Sequence, residues 1–181
     1  MVTLRLGVQE DLGRVLEWNA GNDEGFLMQW AGPLFRHPLT EDQLLAHWGP
    51  VIAGRQPETR LYGIEEGQTI GVVELTLIDR TNRSARVARV LLGSDEDRGH
   101  GTGAAALKLL LEVCFGELEL NRVSLAVFDF NIPAIRCYEK VGFRKEGLIR
   151  EARRVGEDYW SYFEMGILRR EWLSGEIGII R

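Results

Sequence analysis

Apolar residues follow two different spacings along the chain, and the change between them predicts where strands and helices alternate. Residues 3–8 alternate apolar and polar side chains, which is the period of a half-buried strand. From Glu10 the apolar spacing becomes helical, and acidic residues stand in the first turn, where the helix dipole favours negative charge. Thr40, with Gln43 three residues later, has the pattern of a capping box and predicts a second helix.

The segment between these helices, residues 19–39, combines chain breakers with aromatic side chains. The breakers are Gly21, Gly25, Gly32, Pro33 and Pro38, and the aromatic residues are Phe26, Trp30 and Phe35. Glycine and proline interrupt regular structure, whereas large aromatic side chains favour burial. The sequence therefore predicts a loop that packs against the domain.

The remainder of the chain alternates short apolar runs with two helical patterns. Strands are predicted at 60–65, 69–78, 85–92, 121–128, 143–153 and 158–168, and helices at about 102–115 and 131–141, with a last helical turn near 169–172. This order of elements predicts an α/β (α+β) fold with a mixed sheet.

Composition narrows the class of protein. The 181 residues suit one domain, and the formal net charge of −5 disfavours nucleic acid as a partner and is compatible with a cationic substrate. Cys114 and Cys137 form no CxxC pair, which predicts free thiols in a reducing compartment. We see neither a signal-peptide pattern nor an apolar run of membrane-spanning length, so a cytoplasmic protein without membrane contact is expected. No metal-ligand spacing occurs, so no metal is expected.

A glycine-rich motif, Arg98-Gly99-His100-Gly101-Thr102-Gly103-Ala104, lies between the strand at 85–92 and the helix at 102–115. Backbone N–H groups of such a loop converge at the helix N-terminus, where the dipole also favours an anion. The motif therefore predicts a site for a phosphate-bearing ligand.

Two nucleotide-binding motifs and a glycine turn without a ligand are alternative interpretations of this loop. A Walker A motif needs a lysine after its last glycine, and none follows Gly103. Residues 101–106 fit Gly-x-Gly-x-x-Ala, but in the dinucleotide fold that fingerprint follows its strand directly, whereas residues 94–98 intervene here. A glycine turn without any ligand is the third alternative. The small residues after the glycines favour close approach of a ligand over an empty turn.

Two separate blocks resemble the GNAT N-acetyltransferases. Arg98-x-x-Gly101-x-Gly103-Ala104 resembles the acetyl-CoA loop of that family, and residues 131–143 resemble its Asn-x-x-Ala-x-x-x-Tyr-x-x-x-Gly-Phe block. The similarity extends over residues 61–172 and is strongest to the branch of ribosomal-protein N-terminal and spermidine acetyltransferases. The resemblance implies a single domain over residues 1–181, with a mixed, mostly antiparallel twisted sheet and helices on both faces.

The resemblance also implies an acetyl-CoA site and an acid for the leaving thiolate. Main-chain groups of Leu91, Leu92 and Gly93 are expected to bind the pantetheine arm, and the N–H of Leu91 or Leu92 to bind the oxyanion. Tyr138 corresponds to the family's general acid; the alternative is a core aromatic residue. The remaining residues expected to bind acetyl-CoA are Arg98, Gly99, His100, Gly101, Thr102, Gly103, Ala104, Asn131, Ala134 and Tyr138. The Arg98 side chain is equally compatible with solvation, and Asn131 with a helix cap.

Glu74 is the candidate for the group that binds or deprotonates the acceptor amine. Alternation places it mid-strand on the face of Val72 and Thr76. The alternatives are a solvated or arginine-paired carboxylate, with a water chain, His37 or His47 as the base; each histidine is equally open to a structural or surface role. Further candidates for an acceptor pocket are Trp30, Phe35, Trp48, Asp23 and Glu24; for the tryptophans the alternative is a second small core.

The expected function is transfer of the acetyl group of acetyl-CoA to a primary amine by direct attack. The acceptor is a protein N-terminus, a polyamine or another small amine. The alternative is a catalytically inactive acyl-CoA-binding module of the same fold. An apolar tail at residues 175–180 leaves a homodimer open.

Overall fold

The computed structural model describes residues 1–93 and 101–175. Within these ranges seven strands form one sheet: β1 (Thr3–Leu6), β2 (Arg60–Glu66), β3 (Gln68–Asp79), β4 (Ser84–Leu92), β5 (Arg122–Phe128), β6 (Arg144–Val155) and β7 (Asp158–Leu168). The helices are α1 (Glu10–Asn19), α2 (Glu24–Ala31), α3 (Glu41–Ile52), α4 (Thr102–Glu112), α5 (Ile132–Val141) and α6 (Arg169–Ser174). A 3₁₀ turn, Gly32–Leu34, follows α2, and a π-helical turn, Val113–Glu117, follows α4.

The strand order is β1-β2-β3-β4-β5-β7-β6. Every neighbouring pair is antiparallel except β4 and β5, which run parallel. The prediction of a mixed, mostly antiparallel sheet is therefore confirmed. The crossover from β4 to its parallel neighbour β5 contains α4, as a parallel connection requires.

Two hydrophobic cores cover the two faces of the sheet. Val73 belongs to the core that contains the buried side of α4 and α5, whereas its neighbour Val72 belongs to the core under α1, α2 and α3. Successive strand residues point to opposite faces, so the helices cover both sides, as predicted. We call these the α4–α5 face and the α1–α3 face.

Arg5 joins β1 to the start of α1. Its guanidinium donates to both carboxylate oxygens of Asp11, each at 2.7 Å, and the buried carboxylate also accepts from the N–H of Val8 at 2.9 Å. The acid in this first turn therefore serves mainly as the partner of a bidentate arginine, which is a stronger interaction than the helix dipole.

The prediction of a loop over residues 19–39 is wrong for its central part, because α2 forms there. Asp23 caps this helix and accepts from the N–H of Phe26 at 2.8 Å. The breakers lie at the ends of the helix: Gly25 is in its first turn, and Gly32, at φ 63°, directly follows its last residue. Trp30 is nonetheless buried, as the aromatic content predicted.

The helix predicted at about 102–115 ends earlier, at Glu112, and continues as the π-helical turn. The apolar tail reaches Gly175 within the described residues, and the rest of it, residues 176–181, lies outside them.

Candidate active site

Strands β4 and β5 are paired over only part of their length. Their ladder joins Ser84 to Arg122, Ala85 to Val123 and Arg86 to Ser124, and no further pair follows. Beyond Arg86, β4 remains paired with β3 only. The sheet therefore opens into a cleft between two parallel strands, and main-chain groups of β4 line it.

A bulge at Arg89 lies next to this opening. The register of β3 and β4 shifts between the pairs Val72–Leu91 and Glu74–Ala88, and Arg89 has a φ of 50°. A bulge inserts an unpaired residue and changes the direction of a side chain. It brings the Arg89 side chain opposite Glu74 across the two strands.

Glu74 is the centre of a buried polar cluster on the α1–α3 face. Its carboxylate accepts from Arg89 Nη1 at 2.7 Å, His47 Nε2 at 2.8 Å and Trp48 Nε1 at 2.6 Å. The Glu74 side chain has no exposed surface, and that of Arg89 is 16% exposed. Because an ionised carboxylate only accepts hydrogen bonds, Nε2 of His47 carries the proton.

The charge state of Glu74 follows from these contacts. Burial alone would raise its pKa, but the hydrogen bond from His47, the charge of Arg89 and the hydrogen bond from Trp48 outweigh burial and lower the pKa. A carboxylate that is ionised and engaged by three donors is a weak base. The geometry thus favours the arginine-paired alternative for Glu74.

Tyr138 lies on α5 and packs with the α4–α5 core. Its ring meets Phe143 edge-on, with centroids 6.0 Å apart. Desolvation, followed by the neighbouring Cys137, raises the pKa of the Tyr138 phenol, so the hydroxyl is protonated at neutral pH. Within residues 1–93 and 101–175 the hydroxyl has no hydrogen-bond partner. Packing against Phe143 is by itself a sufficient reason for an aromatic ring at this position.

The glycine motif is described only from its second half. Arg98, Gly99 and His100 lie outside the described residues. Gly101 directly precedes α4 with a φ of 89°, in the left-handed region that favours glycine. Thr102 and Ala104 are buried, and a Cβ on Gly103 would lie 3.7 Å from both Cys137 Sγ and Leu92 Cδ1. The start of α4 therefore contacts the end of β4 and the middle of α5.

Gly93 directly follows β4 and lies against Trp18 of α1, on the α1–α3 face. A Cβ there would lie 2.2 Å from Nε1 of Trp18, so only glycine fits. Its N–H donates to the carbonyl oxygen of Ile70 at 2.8 Å and is therefore already used. Leu91 is buried in the α1–α3 core and Leu92 is half-buried, so both would offer a ligand main-chain atoms only.

Asn131 caps α5, as its residue type alone would suggest. Its Oδ1 accepts from the N–H of Ala134 at 3.3 Å. Ala134 packs against the α4–α5 core. The side-chain amide nitrogen of Asn131 makes no hydrogen bond to the described part of the chain.

A cavity of about 350 Å³ extends from the cleft toward the α1–α3 face. The end of α2 and the 3₁₀ turn form one wall, Ala88 and Val127 lie on the two separating strands, and Tyr162 comes from β7. Trp30 lines this cavity, whereas Trp48 packs behind it at 6.4 Å between ring centroids. Both tryptophans belong to the α1–α3 core, which agrees with the alternative of a second small core, and an acceptor pocket beside Trp30 stays a prediction.

Three arginines of the cavity wall were missed by the sequence analysis: Arg86, Arg89 and Arg153. A signal for two of them exists. Arg86 and Arg89 are three residues apart in one apolar strand, and strict alternation would send them to opposite faces. Two charged side chains at that spacing indicate a bulge that directs both to the same side.

Comparison with known proteins agrees with this geometry. The model of the acetyltransferase (GNAT) family matches residues 23–143. The chain belongs to the GNAT family. YdaF of Bacillus subtilis (strain 168), named as a ribosomal N-acetyltransferase, is 31% identical over 182 residues, covering 94% of this GNAT chain and 93% of that protein. The aminoglycoside N(6')-acetyltransferase type 1 of Klebsiella pneumoniae is 27% identical, covering 82% of this chain and 76% of that protein.

A solved structure supports the same assignment. The spermidine N-acetyltransferase of Vibrio cholerae, in complex with CoA and spermine, has a TM-score of 0.80 and 26% identity, covering 95% of this chain and 98% of that one. This GNAT chain is therefore an N-acetyltransferase that takes acetyl-CoA as acetyl donor and an amine as acceptor. No comparison favours the inactive binding module. Among its described residues, no helix is long and apolar enough to cross a membrane.

Proposed function

We propose that the acceptor amine and the thioester meet in the cleft between β4 and β5, and that the chain acetylates a small primary amine there. The single observation that carries this proposal is the cavity of about 350 Å³ where the β4–β5 ladder ends. That volume is at the lower end of the range for small-molecule sites, roughly 300–1,000 Å³. A single domain over residues 1–181 would contain the whole site.

The donor would enter along β4. The pantetheine amides add to the open edge of β4 as a further strand, through main-chain groups of Leu91, Leu92 and Gly93. Because the Gly93 N–H already bonds Ile70, only its carbonyl is available. The N–H of Leu91 or Leu92 would stabilise the oxyanion that forms at the thioester carbonyl.

The phosphates would bind at the other end of the donor. We assign them to the motif from Arg98 to Ala104, where Gly101 directly precedes α4. Of this motif, Gly99 and His100 would contribute main-chain N–H groups only. The Asn131 amide nitrogen, which makes no bond within the described residues, would donate to the pantetheine arm beside Ala134.

Tyr138 would act as the general acid. When the amine attacks the thioester carbonyl, the C–S bond breaks and the thiolate leaves with the electron pair. A protonated phenol without another partner donates its proton to that sulfur. Burial raises the pKa of Tyr138, so the phenol is protonated at neutral pH and carries the proton that the thiolate needs.

Glu74 would act as a positioning residue rather than as the base. It holds Arg89 on the cavity wall, and none of the lining residues in the described chain is an Asp, Glu or His. The acceptor ammonium would therefore lose its proton to solvent through water. For Glu74→Gln, we expect a pH–rate profile of unchanged shape; loss of the acidic limb would instead make Glu74 the base.

The decisive experiment replaces Tyr138 with Phe and removes only the hydroxyl. We expect kcat to fall by roughly 10²–10⁴-fold, the usual contribution of a general acid, with little change in acetyl-CoA affinity. Release of CoA thiol gives kcat, and calorimetry gives the affinity. The matched control is Tyr159→Phe on the exposed part of β7, which should keep full turnover. Unchanged turnover in Tyr138→Phe would remove Tyr138 from the mechanism.

The acceptor class, the assembly and the compartment are also proposed. Relatives named for aminoglycosides and spermidine support a small amine, whereas the name of YdaF supports a ribosomal acceptor, and the size of the cavity favours the small amine. Strand β6 is a twelve-residue sheet edge with exposed Leu148 and Ile149, which suits a homodimer contact. Light scattering that gives a monomer mass would refute the homodimer.

Free Cys114 and Cys137 suit the reducing cytoplasm.

A further inference from the structure

The acceptor side of the cavity has an unusual charge for an enzyme of this composition. Arg86, Arg89 and Arg153 all line it, whereas no lining residue within the described chain is an Asp or Glu. The protein as a whole carries a net charge of −5. The local charge near a bound ligand, and not the net charge, decides which ligand is attracted.

Two of the three arginines are neutralised from outside the cavity lining. Arg89 donates to Glu74 at 2.7 Å, as described above. Arg86 forms a two-pronged ion pair with Glu164, in which Nη2 donates to Oε2 at 2.9 Å and Nη1 donates to Oε1. These arginines give the cavity polar donors with little net charge.

Arg153 is different because no carboxylate pairs with it in residues 1–93 and 101–175. Its Nη1 donates to the carbonyl oxygen of Ala152 at 2.8 Å, and its guanidinium carbon lies 5.4 Å from the centre of the Tyr162 ring. A cation over an aromatic face is attracted to it without losing its charge. Arg153 is thus held at the cavity, and most of its N–H donors make no hydrogen bond to the described part of the chain.

The backbone of β6 is shaped around this residue. The register with β7 shifts between Ile149 and Arg153, and Glu151 within that interval has a φ of 47°. An irregularity of this kind redirects a side chain and is common next to active sites. The edge hairpin therefore contributes a cation to a cavity formed mainly by other elements.

We propose that the acceptor carries a carboxylate in addition to its amine, and that Arg153 binds this carboxylate, with Arg89 beside it. The substrate class is a small amino acid or a similar amino-carboxylate. A planar guanidinium matches the two oxygens of a carboxylate, which makes arginine the suited residue. A polyamine would instead bring like charge against Arg153, which disfavours it. This inference rests on the proposed function, because it identifies the acceptor of the same cavity.

The test is a paired panel of acceptors followed by CoA thiol release. The panel contains L-amino acids, their C-terminal amides and spermidine, each with acetyl-CoA. We expect the preferred amino acid to exceed its own amide at least tenfold in kcat/KM. The comparison is stringent, because an amide has the less basic amine and so the larger fraction of free nucleophile.

The Arg153→Gln variant tests whether Arg153 is the residue that binds the carboxylate of the acceptor. We expect KM for the amino acid to rise roughly 10- to 100-fold, the value of a charge-assisted contact, with kcat and the activity on the amide nearly unchanged. The control is Arg154→Gln, since Arg154 is exposed and pairs with Glu157 at the hairpin turn. Unfolding curves of both variants exclude a folding defect.

The possible failures are distinguishable. Equal or better turnover of amides or spermidine overturns the carboxylate inference and leaves the proposed function intact. An Arg153→Gln effect equal on acid and amide also overturns it. A selective effect on succinyl-CoA in place of acetyl-CoA would assign the carboxylate to the acyl chain and overturn the acceptor assignment. If none of the amines supports CoA release, the proposed function is overturned, and this inference with it.

Discussion

Replacement of Glu74 by Gln tests the buried polar cluster most directly. The amide keeps the size of the side chain but loses the negative charge and gains an N–H donor. Arg89, His47 and Trp48 all point donors at this position, so at least one of them loses its acceptor. Arg89 is left as a buried cation without a counter-charge.

The expected loss of stability follows from the burial of the pair. Removal of one partner from a buried ion pair costs about 3–5 kcal/mol, because an uncompensated charge remains inside. Glu74 has no exposed surface and Arg89 is only 16% exposed, so solvent screens the pair weakly. We expect the free energy of unfolding of Glu74→Gln to fall within that range.

The effect also depends on pH, with a defined sign. The pKa of Glu74 in the folded protein is lowered from its ordinary 4.5, so folding favours the carboxylate. Its contribution to stability is fully present above pH 4.5 and is lost as the pH falls through the lower folded pKa. The stability difference between the wild type and Glu74→Gln should therefore shrink below pH 4.5.

Urea unfolding at several pH values measures both effects, and an unchanged m-value shows that the unfolded states are comparable. The matched control is Glu117→Gln, which breaks the pair with Arg60; the Glu117 side chain is 61% exposed. Exposed pairs contribute about 0–1 kcal/mol, so this variant should change little. A Glu74→Gln loss no larger than that of the control would refute the importance of the buried cluster.

Three further predictions concern local features. Gly93→Ala should destabilise the protein by about 1–3 kcal/mol and weaken acetyl-CoA binding, because its methyl group clashes with Trp18. Gly13→Ala should do neither, because no neighbouring atom lies within 4 Å of its added methyl group. Equal unfolding midpoints of the two variants would contradict this. Asn131→Ala should lower the unfolding free energy by about 0.5–2 kcal/mol through loss of the α5 cap, and Asn131→Asp should restore it. Burial raises the pKa of Cys114 to about 12, so a thiol reagent should label it at neutral pH only after urea is added, and rapid labelling of the folded protein would be inconsistent with its burial.

Helix α2 shows what the chain pattern leaves undetermined. Five breakers and three aromatic residues in this segment predict a packed loop. Asp23 provides the missing start signal, and the glycines occupy the ends of the helix, where they are tolerated. The local composition was read correctly, but the positions of the breakers relative to the caps decided the outcome.

The sequence predicted those features of the site that depend on a single strand or helix. Alternation correctly placed Glu74 on the face of Val72, and the asparagine at the start of α5 is a cap. The partners of Glu74 are 15, 26 and 27 residues away in the chain, and Arg153 reaches the cavity from an edge hairpin. Such contacts depend on tertiary packing, which periodicity along one segment does not encode.

The proposed site draws its two ends largely from opposite faces of the sheet. The end of α2 forms the wall assigned to the acceptor, while α4 and α5, the helices assigned to the donor, pack against the other face. Mutations in different cores tend to add independently. Such a layout lets an acceptor preference evolve, or be engineered, by exchanging the first 59 residues and the β6–β7 hairpin while the acetyl-CoA half is retained.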